Sequence, residues 1–178
     1  ASFEMDDRFG AYDAEGIEAS HLDGGKMLTR INYADPASAA TLEASAKAID
    51  SLSERGLNAM IEPFISRWEG GRIVNDLSEE AVIRSICIAQ ALGCSSAHTW
   101  LKLPCVSGPA SMRHVMASTS LPSLILGGEV STDPEATRAS WAAALELPNV
   151  RGLVVGRSLL YPGNDDVEAA VDAAVALL

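Results

Sequence analysis

KMLTRI, residues 26–31, and NAMIEPF, residues 58–64, are two short apolar runs rich in residues that favour β-strands. Between them, residues 38–55 form an alanine-rich stretch whose apolar side chains recur at helical spacing. A strand, a helix and a second strand in this order predict a parallel βαβ unit with a right-handed crossover. The remainder of the chain repeats this pattern, so the unit predicts the fold of the whole chain.

Three more apolar runs follow at residues 97–103, 123–130 and 152–160. The stretches between and after the strands predict helices at residues 14–22, 78–92, 112–118, 134–147 and 166–178. Five parallel strands alternating with helices indicate an α/β fold, either a doubly wound sheet or the larger part of a (β/α)8 barrel. An intact barrel needs about 250 residues. We therefore expect the 178 residues to form a single domain, 1–178, that is an incomplete barrel lacking the first two to three βα units.

Composition excludes several classes of protein. With 48% hydrophobic residues the chain is too apolar to be disordered, and no run approaches the length of a membrane span. The net charge of −11 disfavours binding to nucleic acid. The glycine-rich segments match neither the dinucleotide fingerprint nor the P-loop, so no cofactor is expected. The three cysteines, without zinc-site spacing, are typical of free thiols in a cytoplasmic protein, and we expect no metal.

Polar residues stand out where they interrupt the predicted strands. In residues 97–104, AHTWLKLP, alternation places His98, Trp100 and Lys102 on one face. A lysine in an apolar strand is costly unless it is paired or needed as a neutral amine. Lys102 is therefore either half of an ion pair at the barrel rim or a nucleophilic amine kept partly neutral by burial and by a nearby positive charge.

Two further strands carry groups that fit the second interpretation. Lys26 shares a strand face with Arg30, and Glu62 lies just before a proline in the next strand. Lys26 supplies the nearby charge, unless it only begins its strand at the solvent edge. Glu62 transfers protons during carbinolamine formation and breakdown, unless it only neutralises Lys26 or Lys102. We expect Arg30 to contribute to substrate binding.

The last two predicted strands end in glycine. LILGGEV, residues 124–130, contains Gly127 and Gly128, and LVVGRS, residues 153–158, contains Gly156 and Arg157. Loops after strands 7 and 8 of a barrel often bind phosphate through backbone N–H groups. Either these glycines only permit tight turns, or they bind a phosphate together with the Arg157 guanidinium.

DGGKMLTRIN, AMIEPF, HTWLKLP, LILGGEVS and VRGLVVGRSLLYP together resemble the deoxyribose-phosphate/tagatose-bisphosphate aldolase superfamily of class I enzymes, and in particular a branch of (β/α)8 proteins linked to inositol catabolism. The resemblance begins at Phe3 and follows strands 4 to 8 of that barrel. It implies that Lys102 is the Schiff-base lysine, with Lys26 and Glu62 assisting. It also implies a phosphate site at the glycine-rich ends of strands 7 and 8.

The expected function is therefore that of a metal-independent lyase of carbohydrate metabolism. It would form or cleave a C–C bond in a phosphorylated sugar or keto-deoxy acid through a Schiff base. One alternative is another phosphosugar barrel enzyme, such as an isomerase, epimerase or decarboxylase, in which Lys102 acts as a charged acid. A second is a catalytically silent barrel fragment. The expected binding partner is a small phosphorylated carbonyl compound. We expect binding neither to nucleic acid nor to a membrane. A homo-oligomer is compatible with the sequence.

Overall fold

The computed structural model describes residues 4–128 and 130–178, so Phe3 and Glu129 lie outside the described residues. The strands within them are β1 (Gly24–Ile31), β2 (Asn58–Glu69), β3 (Arg72–Asp76), β4 (Thr99–Leu103), β5 (Ser123–Leu126) and β6 (Val150–Val154). The helices are α1 (Ala14–Ala19), α2 (Ala37–Glu54), α3 (Glu79–Ala89), α4 (Pro109–Ala117), α5 (Pro134–Leu145), α6 (Arg157–Leu160) and α7 (Val167–Val175).

Five of the strands form a parallel sheet in the order β1-β2-β4-β5-β6. Each strand lies beside its predecessor in this order, and a helix connects each neighbouring pair. The prediction of a parallel α/β fold is confirmed, and the arrangement is that of part of a (β/α)8 barrel.

The two faces of the sheet differ in burial. Ile61, Leu101 and Ile125 are fully buried beneath the helices, in the same core as Ile49 of α2 and Ile86 of α3. The side chains that alternate with them point to the other face, which we call the inner face, and most of these are only partly buried. The sequence predicted strands covered on both faces, whereas the described residues cover one face fully. Among them, no helix has the length and apolar character needed to cross a membrane.

A β-hairpin that the sequence analysis did not predict rises from the carboxyl edge of the sheet. β2 runs to Glu69, five residues beyond the predicted end, and returns as the antiparallel β3. Gly70 and Gly71 form the turn with φ of 58° and 76°, values that glycine adopts without strain. Pairing of β2 with β4 ends at Ile61, and Pro63 has no N–H to extend it. The same edge of β2 is therefore available to β3 from residue 65 onward.

Predicted boundaries are also wrong in β4, β5 and β6. β5 ends at Leu126, and Gly128 turns the chain with φ of 68°, while Glu129 of the predicted strand lies outside the described residues. β6 begins at Val150 and ends at Val154, and residues 157–160, predicted as strand, form the helical turn α6. β4 begins at Thr99, so His98 lies in the preceding turn, where its carbonyl oxygen accepts a hydrogen bond from the backbone N–H of Ala59 at 2.8 Å.

Candidate functional site

Three charged side chains on adjacent strands meet on the inner face. Lys26 is on β1, Glu62 on β2 and Lys102 on β4. The register pairs Lys26 with Met60 and Met60 with Trp100, so Glu62 and Lys102 each lie two residues further toward the carboxyl end of their strands. Because residues two apart on a strand share a face, the main-chain register alone brings the three side chains together.

Glu62 bridges the two lysines. Its Oε2 lies 2.5 Å from Lys26 Nζ, and its Oε1 lies 3.2 Å from Lys102 Nζ. The side chains of Glu62 and Lys102 are 12% and 14% exposed, whereas that of Lys26 is 44% exposed. One carboxylate therefore serves two amines, and a net positive charge remains when both amines are protonated.

The two lysines are not equivalent. Lys26 holds the shorter contact to Glu62 and is the more exposed, two features that suit an amine that remains an ammonium ion. Lys102 is the more buried of the two and lies farther from the Glu62 carboxylate, at 3.2 Å. The carboxylate between them can accept a proton from either amine and return it to a substrate oxygen. The arrangement can thus support imine chemistry at Lys102.

The residues beneath this cluster are apolar. Trp100 precedes Lys102 by two residues on the same face, and Met60 lies opposite Trp100 in the register. Both are partly buried, and each lies two residues before a charged member of the cluster, Glu62 or Lys102, on the same face of its strand. The sequence predicted His98 on the same strand face, but it lies in the turn before β4, two residues before Trp100.

Arg30 lies in a different environment from the one expected. It is 6% exposed, and its Nε and Nη2 atoms donate to the two carboxylate oxygens of Asp7 at 2.7 and 2.5 Å. Nη2 also donates to the carbonyl oxygen of Glu4 at 2.8 Å. These contacts attach the opening segment to β1, and the expected contribution of Arg30 to substrate binding stays a prediction. Sequence reasoning missed Asp7, because nothing near residue 7 indicates a partner on β1.

The glycine-rich strand ends lie side by side, as expected. The Gly127 N–H donates to the carbonyl oxygen of Val154 at 3.3 Å, and a Cβ on Gly127 would lie 2.6 Å from Cγ1 of Val155. Close packing against Val155 therefore explains why residue 127 is a glycine. A Cβ on Gly156 would meet no described atom within 4 Å, so packing does not explain that glycine. Leu124 pairs with Lys102 and lies three residues before Gly127, so the Gly127 backbone lies about 10 Å further along the strand direction than the Lys102 backbone.

Among the described residues, no group of three or more histidine, cysteine, aspartate or glutamate side chains is placed to hold a metal ion.

Solved structures of aldolases share this fold. A Schiff-base-forming fructose-1,6-bisphosphate aldolase is 19% identical with a TM-score of 0.77, over 95% of this chain and 63% of the aldolase. An archaeal fructose 1,6-bisphosphate aldolase is 18% identical, also with a TM-score of 0.77, over 95% of this chain and 63% of its own. At these identities the likeness shows the fold alone. A comparison with curated proteins finds no match.

A much stronger similarity connects the chain to Cgl0159 from Corynebacterium glutamicum. The crystal structure of that protein is 51% identical, with a TM-score of 0.93 over 99% of this chain. The chain spans 58% of the length of Cgl0159. The Cgl0159-like family matches residues 1–175. Because the family model matches nearly the whole chain and the identity to Cgl0159 is 51%, the chain belongs to the Cgl0159-like family.

Proposed function

We propose that this chain carries the Schiff-base site of a class I aldolase that acts on a phosphorylated sugar or keto-deoxy acid. The single observation that carries the proposal is the shared carboxylate, with Glu62 between the buried Lys102 and the more exposed Lys26. The aldolase-like fold supports it. The finer assignment, to the branch linked to inositol catabolism, stays a prediction.

In the proposed reaction the neutral Lys102 amine attacks the substrate carbonyl carbon and forms a carbinolamine. A proton delivered through Glu62 lets the carbinolamine oxygen leave as water, and an iminium ion remains. Cleavage of the neighbouring C–C bond sends its electron pair into the iminium, while Glu62 accepts the proton of the departing aldehyde's hydroxyl group. Lys26 remains protonated and binds a substrate oxygen. The product enamine then takes up a proton and is hydrolysed, which frees Lys102.

The phosphate of the substrate would bind at the ends of β5 and β6. The N–H of Gly127 already bonds to the Val154 carbonyl oxygen, so the backbone N–H groups of Gly128 and Gly156 would bind the phosphate, and Arg157 would add a guanidinium group. The offset of about 10 Å between the backbones of Lys102 and Gly127 suits a sugar chain with a terminal phosphate.

Borohydride trapping tests the proposal. The full-length protein, incubated with a ketose phosphate and borohydride, should gain one covalent adduct on the peptide that contains Lys102. Lys102→Arg keeps the charge facing Glu62 but removes the nucleophile, so it should abolish the adduct. Lys26→Arg is the matched control and should still form it. An adduct on Lys26 instead would mean that Lys26 is the nucleophile and that Lys102 assists it.

A second candidate is a phosphosugar isomerase, epimerase or decarboxylase in which Lys102 acts as a charged acid. The contact of 3.2 Å between Lys102 Nζ and Glu62 Oε1 favours it, because a lysine beside a carboxylate can act as a proton donor. Turnover of a phosphosugar with no trapped adduct would support this candidate and refute the aldolase proposal.

A further inference from the structure

β3 is the outer strand of the β2–β3 hairpin, and one of its two edges is open. Among the described residues, only β2 forms backbone hydrogen bonds with residues 72–76, and no other described helix or strand packs extensively against them. The pairing with β2 contains no bulge, and residues 72–76 include neither proline nor lysine. Bulges, prolines and lysines keep an open edge from pairing with another chain, so this edge lacks three of the usual protections.

The turn of the hairpin determines which backbone groups of β3 point to the open edge. Glu69 and Arg72 flank the two-residue turn and lie opposite each other, which is a hydrogen-bonded position in such a hairpin. Hydrogen-bonded and non-hydrogen-bonded pairs alternate along the strands, so Val74 also bonds to β2. The N–H and C=O groups of Ile73 and Asn75 therefore point away from β2, toward the open edge.

The sequence of β3 is complementary to itself. When two copies of RIVND, residues 72–76, run antiparallel about a two-fold axis at Val74, Ile73 lies opposite Asn75 of the second copy. These are the residues whose backbone groups face the open edge, so each such pair can exchange both of its hydrogen bonds. In the same register Arg72 lies opposite Asp76 of the second copy at both ends, and opposite charges across two strands stabilise their pairing.

The two charged side chains are accessible for this contact. The Asp76 side chain is 41% exposed, and its Oδ2 lies 4.0 Å from Arg67 Nη1, while its Oδ1 accepts a hydrogen bond from the backbone N–H of Ser78 at 2.9 Å. Arg72 is exposed, and its guanidinium group has five N–H donors. It can therefore bind a carboxylate of a second copy in addition to its contacts within the chain.

We propose that β3 pairs with β3 of a second copy of this chain, so that the two hairpins form one continuous antiparallel sheet. A five-residue strand is much smaller than the roughly 20–30 residues that each partner contributes to a stable interface. The dimer therefore dissociates on dilution. The pairing uses only the hairpin, and it does not depend on the chemistry proposed for Lys102.

Sedimentation velocity of the full-length protein tests the pairing, and the parent should show a concentration-dependent equilibrium of monomer and dimer. Arg72→Asp places two carboxylates opposite each other and Asp76→Arg two guanidinium groups, so each variant alone should dimerise roughly tenfold or more weakly. An equimolar mixture of the two variants has opposite charges at both ends again and should dimerise. Glu146→Arg, at the exposed residue that follows α5, is the matched control and should behave like the parent.

If Asp76→Arg does not fold, cross-linking at Val74 provides a second measurement. Val74 lies opposite its own copy in a non-hydrogen-bonded pair, with Cα atoms about 4.5 Å apart, a distance that a disulfide can span. With the three native cysteines changed to serine, Val74→Cys should form a disulfide-linked dimer on oxidation, whereas Ala39→Cys, at an exposed position of α2, should not.

Four results would overturn the proposal. They are a parent that stays monomeric at every concentration, a dimer that both charge variants leave unchanged, a mixture of the variants that does not dimerise, and equal cross-linking of the two cysteine variants.

Discussion

Arg30 and Asp7 form a buried bidentate ion pair that joins the opening segment to the first strand of the sheet. Both side chains are less than a tenth exposed, at 7% and 8%. The backbone N–H of Arg30 also donates to Asp7 Oδ2 at 3.1 Å, and the backbone N–H of Asp7 donates to Thr41 Oγ1 at 3.1 Å. The aspartate thus connects the opening segment, β1 and α2.

Asp7→Ala should therefore destabilise the fold strongly. Removing the Asp7 carboxylate breaks the buried ion pair of the Arg30 guanidinium, and breaking such a pair typically costs about 3–5 kcal/mol. Chemical denaturation followed by circular dichroism measures the loss. Asp6→Ala is the matched control, because the Asp6–Arg8 pair is exposed and should matter little. Equal stability of the Asp7 variant and the parent would show that the pair is dispensable.

Two glycine variants separate tight turns from phosphate binding. Gly127→Ala forces a Cβ against Val155 and should destabilise the fold by about 1–3 kcal/mol, whether or not phosphate binds there. Gly156→Ala has open space and should leave stability unchanged. If the phosphate proposal is correct, Gly156→Ala still weakens binding of a phosphorylated ligand, as measured by calorimetry. Unchanged affinity in this variant would favour the tight-turn interpretation.

Arg157→Ala should weaken binding of a phosphorylated substrate by roughly 1.5–3 kcal/mol, the usual range for a hydrogen bond to a charged group. Calorimetry with the phosphorylated and the unphosphorylated sugar measures the difference. The loss should be confined to the phosphorylated ligand. Equal losses for both ligands would mean that the arginine supports the loop rather than the phosphate.

The β2–β3 hairpin should loosen in acid. Trp68 Nε1 donates to Asp35 Oδ2 at 2.8 Å, and this bond, with one from the backbone N–H of Ala37, holds the pKa of Asp35 below its ordinary value of 3.8. A lowered pKa means that the contact contributes stability above about pH 3.8 and loses it as the pH falls through the lower folded-state value. Fluorescence of a variant with Trp68 as its single tryptophan should report the transition, and Asp35→Asn should remove it.

The three cysteines should differ in reactivity. Burial raises the pKa of the Cys105 thiol to about 11, and the neighbouring Asp50 carboxylate raises that of Cys94. The thiolate is the reactive form, so both should alkylate slowly near pH 8. Cys87 is exposed on α3 and should react first with iodoacetamide, as followed by peptide mass spectrometry. Early labelling of Cys105 would contradict its buried position.

The features that the sequence predicted correctly are those whose signals lie close together along the chain. The five parallel strands follow from short apolar runs at βαβ spacing, and the inner-face alternation of residues 100–102 follows from the period of a strand. Contacts distant in sequence could not be predicted: the ion pair of Arg30 with Asp7 joins residues 23 apart, and Asp7 lies outside the described strands. The hairpin was missed although Gly70 and Gly71 are a turn signal, because residues 72–76, RIVND, contain only two apolar residues and so lack the longer apolar run on which strand prediction relies.

The lysines and the glutamate occupy three neighbouring strands, and the hydrogen-bonded ladders between those strands set their spacing. In the described part of the chain all three side chains are carried by strands and not by loops, so the site cannot open or close without disturbing the pairing of β1, β2 and β4. The site is therefore as stable against unfolding as the domain that carries it. Heating should leave the Lys102 site intact until the domain melts cooperatively, and inactivation and unfolding should then share one midpoint temperature.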